Sequence, residues 1–298
     1  MYTDKEQLLS CFRDMSSKKL TDIQKRTGDY RKQASMINTA IRSAEEQMIS
    51  EILYAAGVYR LGNADILNDV LMITYAADIV MLESRNRVWP YEYMAFARRI
   101  GELWEPFCKK AFHYPIRPLT LIVPPVFEKI QSSLTKNIEE YVSGLDVDSA
   151  ARRQLLYYYK VLWSMIGSGG TKLELDLHFS QDGIHYNCDF KSGFSSNEKG
   201  NTNRLLMVAS IYHFISEAEK MIIFVRQGEE QNNHYLQTLK NSGYWEVYCA
   251  DEAYMKISEF TGFDLRRWLD MNASWEQDIS SELRTHLMSN DLLKYLTW

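Results

Sequence analysis

The chain has 298 residues, of which 46% are hydrophobic and 24% are charged, a composition typical of a globular protein with one large domain or two smaller ones. The formal net charge of −5 argues against a protein that coats nucleic acid non-specifically, although residues 1–60 carry ten Lys/Arg against eight Asp/Glu and residues 226–298 carry seven against twelve. The polar start and the lack of a long apolar run predict neither a secretory signal nor a membrane span.

The four cysteines are widely spaced and form no CxxC pair (Cys11, Cys108, Cys188 and Cys249). This pattern argues against a zinc knuckle and predicts free thiols in a reducing compartment. We therefore expect a cytoplasmic protein.

The first half of the chain is predicted to be helical. Apolar residues recur at three- and four-residue steps in residues 37–55, 64–82 and 94–107, and Pro90 is expected in the first turn of the third helix. Residues 18–32 carry six basic against two acidic side chains, which could lie along a phosphate backbone. A solvated helix surface is the simpler interpretation of that segment.

A proline-rich stretch then marks a change in organisation. Four of the six prolines lie between residues 115 and 125, around a short β-like run at residues 119–123. Helices are predicted at residues 127–142 and 150–166, and the glycines of residues 167–170 are expected to form a turn. We divide the chain into a helical region, residues 1–148, and a second region, residues 149–298.

The most informative stretch is a predicted β-hairpin, with strands at residues 173–179 and 184–190. Asp182-Gly183 between them suits a type I′ turn, in which both central residues need positive φ. With that turn Asp189 lies opposite Asp176 and Lys191 lies opposite Glu174, all on one face. Such a charged face is costly unless a cation or a polyanion lies nearby.

The residues after the hairpin predict a small mixed sheet. A polar loop at residues 192–202 precedes a helix at 203–219 and the apolar run 221–225, the mark of a strand covered on both faces. A strand, a helix and a second strand in this order form a crossover with parallel strands. A further helix (233–241) and strand (245–250) follow, and helices close the chain. The fold class is therefore α/β, with a small mixed sheet flanked by helices and a large helical N-terminal region.

This order of elements resembles the PD-(D/E)XK superfamily of restriction-endonuclease-like nucleases. The resemblance covers about residues 150–225 and is carried by Asp176 and by Asp189-Phe190-Lys191 across the hairpin. It implies a Mg²⁺ ion held by Asp176, Asp189 and the backbone carbonyl of Phe190, with Lys191 orienting the attacking water. The family's first acid often follows a proline, and here Leu175 stands in that place.

Glu174 therefore has three open roles. It could be a further metal ligand, it could pair with Lys191 before metal arrives, or it could replace Asp176 as the first acid. In each case the chemistry is the same. Hydrolysis of an anionic phosphodiester needs charge neutralisation and an activated water, which two carboxylates with Mg²⁺ and a lysine can supply.

Other polar residues near the hairpin have two interpretations each. Lys199, Asn203 and Arg204 lie around the start of the next helix, where they could anchor a DNA phosphate or form a solvated cap. The polar segment 227–234 could read base edges, although a plain polar loop is the simpler interpretation. His178 and His185 flank the turn and are interpreted as ordinary strand histidines, since no third ligand has a metal-site spacing. Cys188 is expected on the face opposite Asp189.

The leading hypothesis is a Mg²⁺-dependent type II restriction endonuclease that cuts double-stranded DNA at a specific site. The resemblance implies a homodimer, and a bacterial or archaeal cell is expected. Under this hypothesis residues 1–148, about which the resemblance says little, would carry dimerisation or DNA-wrapping elements. Two alternatives remain open. One is a repair, recombination or transposon nuclease of the same superfamily, and the other is a non-catalytic helical interaction protein whose hairpin charges only pair with each other.

Overall fold

The computed structural model describes residues 4–167, 172–195, 198–216 and 218–298. The predicted glycine turn at residues 168–170 lies outside these ranges. Within them the chain has the predicted mixed α/β fold, with a helical N-terminal part and one five-stranded sheet.

The N-terminal part consists of four long helices, α1 (Lys5–Arg26), α2 (Tyr30–Tyr59), α3 (Asn63–Val88) and α4 (Tyr93–His113). Asp4 and Asp29 cap α1 and α2 by accepting hydrogen bonds from backbone N–H groups of the first turn. Helix α3 is buried on almost every side because α1, α2 and α4 surround it. Two of its buried acids form ion pairs, Glu83 with Arg13 at 2.7 Å and Asp78 with Arg42 at 2.9 Å.

Two boundaries in this part differ from the sequence prediction. Helix α3 continues to Val88, beyond the predicted end at residue 82, and α4 begins only at Tyr93. Pro90 therefore lies in the connection and not in the first turn of α4, where Glu92 is the N-cap residue. Burial of its final turns extends α3 past the end of the regular apolar pattern.

The sheet contains β1 (Thr120–Leu121), β2 (Leu177–Gln181), β3 (Ile184–Lys191), β4 (Glu219–Val225) and β5 (Trp245–Cys249), in that spatial order. Strands β1, β2 and β3 pair antiparallel, and β3, β4 and β5 pair parallel. The predicted parallel crossover from β3 to β4 is therefore confirmed. Strand β4 is buried from Met221 to Val225, as its continuous apolar run predicts.

The remaining helices cover the sheet and close the chain. They are α5 (Phe127–Gly144), α6 (Ser149–Gly167), α7 (Lys199–Ile215), α8 (His234–Asn241), α9 (Asp251–Thr261), α10 (Leu265–Asn272), α11 (Trp275–Asp278) and α12 (Ser281–Ser289), with 3₁₀ turns at Glu229–Gln231 and Leu293–Tyr295. Helix α7 begins at Lys199, before the predicted start at residue 203, and ends at Ile215 because β4 already begins at Glu219.

Each face of the sheet packs against its own hydrophobic cluster. Cys188 and Phe190 of β3 face the N-terminal helices, with the rings of Phe190 and Trp104 centred 5.6 Å apart. Ile223 and Val225 of β4 face α7 on the other side. The first cluster contains residues from both sides of position 148. The boundary between regions 1–148 and 149–298 therefore remains a prediction.

Cys188 lies opposite the face that carries Asp189, as expected, and all four cysteines are free. Across the described ranges, no helix is both long and apolar enough to cross a membrane.

Candidate active site

The hairpin turn has the predicted geometry. Asp182 has φ 53° and Gly183 has φ 80°, so both central residues adopt the positive φ that a type I′ turn requires. The predicted register is also confirmed along β2, where Leu177 pairs with Cys188 and Gln181 pairs with Ile184.

The strand pairing stops before it reaches the predicted acids. Strand β2 begins at Leu177, so the expected cross-strand pairs of Asp176 with Asp189 and of Glu174 with Lys191 are not formed. Two carboxylates directly opposite each other would repel, which disfavours extension of the ladder. Residues 172–175 instead leave the sheet.

Apolar anchors and side-chain hydrogen bonds hold the segment that precedes β2. Leu173 and Leu175 are buried against α7 and β4. The Tyr212 hydroxyl donates to the Leu173 carbonyl at 3.3 Å, and the Leu175 N–H donates to Nε2 of His178 at 2.9 Å. These contacts replace the missing ladder bonds and fix the residues on both sides of Glu174.

Asp176 lies where β2 and β3 separate. Its Oδ2 accepts a 2.7 Å hydrogen bond from the backbone N–H of Phe190. The N–H and C=O groups of one strand residue point to the same side, so the Phe190 carbonyl also faces this gap. A half-buried carboxylate and a backbone carbonyl thus meet at the end of the ladder.

Asp189 is 1% exposed and is surrounded by cationic groups. The Lys191 ammonium contacts its Oδ1, and Nη2 of Arg204 lies 3.4 Å from its Oδ2. Burial raises the pKa of the Asp189 carboxyl to about 6, and repulsion from Asp176 acts in the same direction against the opposing effects of Lys191 and Arg204.

Lys191 bridges two oxygen atoms of the site. Besides its contact with Asp189, its Nζ donates to the Phe190 carbonyl at 3.3 Å. The ammonium therefore contacts two of the oxygens that the family resemblance assigns to a metal ion. It is the internal counter-charge of the buried Asp189 carboxylate.

The other predicted site residues are more peripheral. Glu174 is exposed, and its charge acts on the His178 imidazole. Lys199 and Asn203 are exposed in the first turns of α7, whereas Arg204 points towards Asp189. The structure thus brings Asp176, Asp189 and Lys191 together, with Arg204 beside them.

A hydrogen-bond network that the sequence did not predict lies next to this cluster, with His178 and Asn187 buried and His185 exposed. Nδ1 of His178 donates to Asn187 at 2.7 Å, and Asn187 donates to Glu219 at 2.7 Å. Glu219 also contacts Nδ1 of His185 at 2.9 Å. Burial lowers the pKa of His178, which favours the neutral imidazole. In the sequence, the alternation of polar residues along the hairpin was the feature that pointed to this network. That alternation does not show which of these residues form hydrogen bonds with each other.

The loop after Lys191 is held by residues that follow β4. Arg226 donates to the Ser192 hydroxyl at 3.0 Å and 3.2 Å, and Asn232 accepts from the Phe194 N–H at 2.6 Å. A Cβ at Gly193 would lie 1.8 Å from Gln227, so glycine permits this close approach. Asn232 is thus used within the protein, in agreement with the interpretation of residues 227–234 as a structural loop.

The oxygen donors of the site suit a hard divalent cation. Mg²⁺ is typically bound through one or two carboxylates together with water and substrate phosphates, and not by a cage built entirely of protein ligands. Asp176, Asp189 and the Phe190 carbonyl match that donor set. Within the described ranges, no group of three or more His, Cys, Asp or Glu side chains is placed to hold a metal ion.

No protein-family model matches this chain, and no curated protein matches it. The chemistry of the site is therefore inferred from its own side chains.

Proposed function

We propose that this protein is a Mg²⁺-dependent DNA endonuclease similar to the PD-(D/E)XK nucleases, and that it acts as a type II restriction enzyme. The observation that carries this proposal is the junction of Asp176, Asp189 and Lys191 where β2 and β3 separate. A buried carboxylate with a raised pKa, a second carboxylate and a lysine are groups that, with a divalent cation, can supply the charge neutralisation and the activated water that phosphodiester hydrolysis needs.

The cation would be held by Asp176, Asp189 and the Phe190 carbonyl. When bound, Mg²⁺ supplies a Lewis acid for the phosphate and lowers the pKa of a bound water. The protein's part is to hold these oxygens in place. The Phe190 N–H fixes the Asp176 carboxylate, and the buried position of Asp189 excludes competing water.

Lys191 would have two successive partners. In the metal-free protein its ammonium neutralises Asp189 and bonds to the Phe190 carbonyl. Once Asp189 has another counter-charge, the ammonium is free to donate to a water oxygen or to a phosphate oxygen. Its side chain is 18% exposed, and the proposal has substrate approach it from that exposed side.

The start of α7 supports a role in phosphate binding. Lys199 begins this 17-residue helix, and Asn203 and Arg204 follow within its first turns. Unpaired backbone N–H groups and basic side chains at a helix start attract phosphate oxygens. Arg204 links this end of α7 to the acids through Asp189. A strand bound here would lie next to the catalytic groups.

The proposal includes a homodimer that cuts both strands of a symmetric site. Residues 1–148 would supply dimer or DNA-wrapping contacts, and the substrate would be double-stranded DNA. The homodimer and the double-stranded DNA substrate rest on the resemblance to type II restriction enzymes.

Incubation of purified protein with phage and plasmid DNA, with and without Mg²⁺, tests the proposal. A restriction enzyme gives discrete fragments that depend on added metal. Preference for ends, branches or flaps would instead identify a repair or recombination nuclease. Absence of cleavage with Mg²⁺ or Mn²⁺ on every substrate would favour the non-catalytic interaction protein.

A further inference from the structure

The acid-bearing segment before β2 is held in an unusual way. Residues 172–175 form no strand pairs, yet Leu173 and Leu175 are both buried. Asp176 therefore takes its position from its bond with the Phe190 N–H and from a short segment held at Leu173 and Leu175, and not from the regular geometry of a ladder.

His178 holds the backbone residue that directly precedes Asp176, in addition to the bond that the Phe190 N–H makes to the Asp176 carboxylate. The Leu175 N–H donates to Nε2 of His178 at 2.9 Å, so this nitrogen carries no proton. The proton lies on Nδ1, which donates to Oδ1 of Asn187 at 2.7 Å. The imidazole is 6% exposed, so a lost partner would not be replaced easily by water.

The orientation of the imidazole is itself fixed from the neighbouring strands. The Nδ2 amide of Asn187 in β3 donates to Oε2 of Glu219 in β4 at 2.7 Å. The other side-chain atom of Asn187, its Oδ1, therefore faces His178. Tyr212 of α7 lies against the ring, with centroids 6.2 Å apart, and donates to the Leu173 carbonyl. Contacts with β3, β4 and α7 thus hold the His178 ring in one orientation and favour one tautomer.

We propose that His178, as the Nδ1-protonated tautomer, is a positioning residue that holds Leu175 and thereby presents Asp176 to the divalent cation. This inference rests on the proposed function for the role of Asp176. The contact between His178 and Leu175 is independent of that function. Its loss should leave the carboxylate present but poorly placed.

A matched pair of substitutions separates the two ring nitrogens. The amide of glutamine places a polar atom where Nε2 lies, and the amide of asparagine places one where Nδ1 lies. His178→Gln keeps an acceptor for the Leu175 N–H, whereas His178→Asn keeps only the contact with Asn187. Both variants lose the buried ring, so a merely structural role would affect them equally.

The readout is the affinity for Mn²⁺ alone, measured by electron paramagnetic resonance without DNA, with folding checked by circular dichroism. His178→Asn should weaken Mn²⁺ binding about 10- to 100-fold, as is typical when a group that orients a ligand is lost, and His178→Gln should stay within a few-fold of the wild type. Equal losses in the two variants, or full affinity in His178→Asn, would overturn the proposal.

Two measurements do not depend on nuclease activity. Nitrogen-15 spectra of the wild-type protein should show His178 protonated on Nδ1 and unprotonated on Nε2, and the opposite tautomer overturns the inference even if the variants fail to fold. Hydrogen exchange at the Leu175 amide should be slow in the wild type and faster in His178→Asn. These results stand even if no DNA is cut, in which case only the proposed function fails.

Discussion

The backbone N–H of Phe190 donates a 2.7 Å hydrogen bond to Oδ2 of Asp176, at the point where β2 and β3 cease to pair. A side chain thus takes the place of a ladder partner, and this brings the Asp176 carboxylate to the strand that carries Asp189 and Lys191. The site depends on this irregularity. In a continuous ladder the carboxylates of Asp176 and Asp189 would lie directly opposite each other and repel.

The first prediction concerns the choice between the two candidate acids. Asp176→Asn should abolish metal-dependent cleavage and weaken Mn²⁺ binding, because Asp176 is held beside β3. Glu174→Gln is the matched control and should retain cleavage within a few-fold, because Glu174 is exposed. Initial cleavage rates and Mn²⁺ titrations check both. The reverse ranking would assign the first acid to Glu174.

The second prediction separates catalysis from metal binding at Lys191. Lys191→Ala should lower the cleavage rate by at least about 100-fold, the usual contribution of a group that assists proton transfer. Mn²⁺ affinity should be unchanged or higher, because the ammonium that contacts Asp189 and the Phe190 carbonyl is removed. Lys220→Ala, at an exposed position of the adjacent strand, is the control. Retained cleavage would contradict the assignment.

The third prediction concerns DNA binding by α7. Arg204→Ala should weaken binding to all DNA sequences alike and lower the slope of log affinity against log salt by about 0.9, the value for one lost phosphate contact. Fluorescence anisotropy with Ca²⁺ in place of Mg²⁺ measures binding without cleavage. Lys256→Ala, on α9 and paired with Glu259 at 2.8 Å, is the control. An unchanged salt slope would contradict a phosphate contact at Arg204.

The fourth prediction is a pH dependence of stability from Asp78 in α3. Burial raises the pKa of this carboxyl from 3.8 to about 7, with Arg42 acting against the rise and Glu45 adding to it. The folded state therefore binds more protons than the unfolded state between these values. The stability contributed by Asp78 is fully present below about pH 4 and is lost as the pH rises to about 7.

Urea unfolding of the wild type and of Asp78→Asn between pH 5 and pH 8 measures this effect, with about 1.4 kcal/mol per pH unit as the upper limit for one group. The free energy of unfolding of the wild type should fall relative to that of Asp78→Asn as pH rises towards 7. Asp65→Asn, at an exposed position of the same helix, is the matched control. A difference that is constant or rises with pH would contradict the prediction.

Local sequence patterns predicted the sheet well. Asp182-Gly183 correctly indicated a type I′ turn and set the register of β2 with β3, since few residues adopt positive φ. The apolar run at Met221–Val225 correctly indicated a covered parallel strand. Both are determined by residues close together in the chain.

The organisation of the site was less predictable. The alternation of charges across residues 173–179 predicted a strand, but the buried positions of Leu173 and Leu175 and the bonds with Tyr212 and His178 hold residues 173–175 outside the sheet. The contact of Arg204 with Asp189 is likewise a result of packing between α7 and the sheet. Interactions between distant parts of the chain determine both the path of the segment before β2 and the contact of Arg204 with Asp189. Sequence periodicity carries no information about such long-range interactions.

The most direct test of the central claim is the cleavage of supercoiled plasmid by the wild type and by Lys191→Ala, each with Mg²⁺ and with EDTA. Discrete linear fragments are expected from the wild type with Mg²⁺ only, and intact plasmid is expected in the other three reactions. Fragments from folded Lys191→Ala, fragments in EDTA, or no fragments in any reaction would contradict a Mg²⁺-dependent endonuclease at this site.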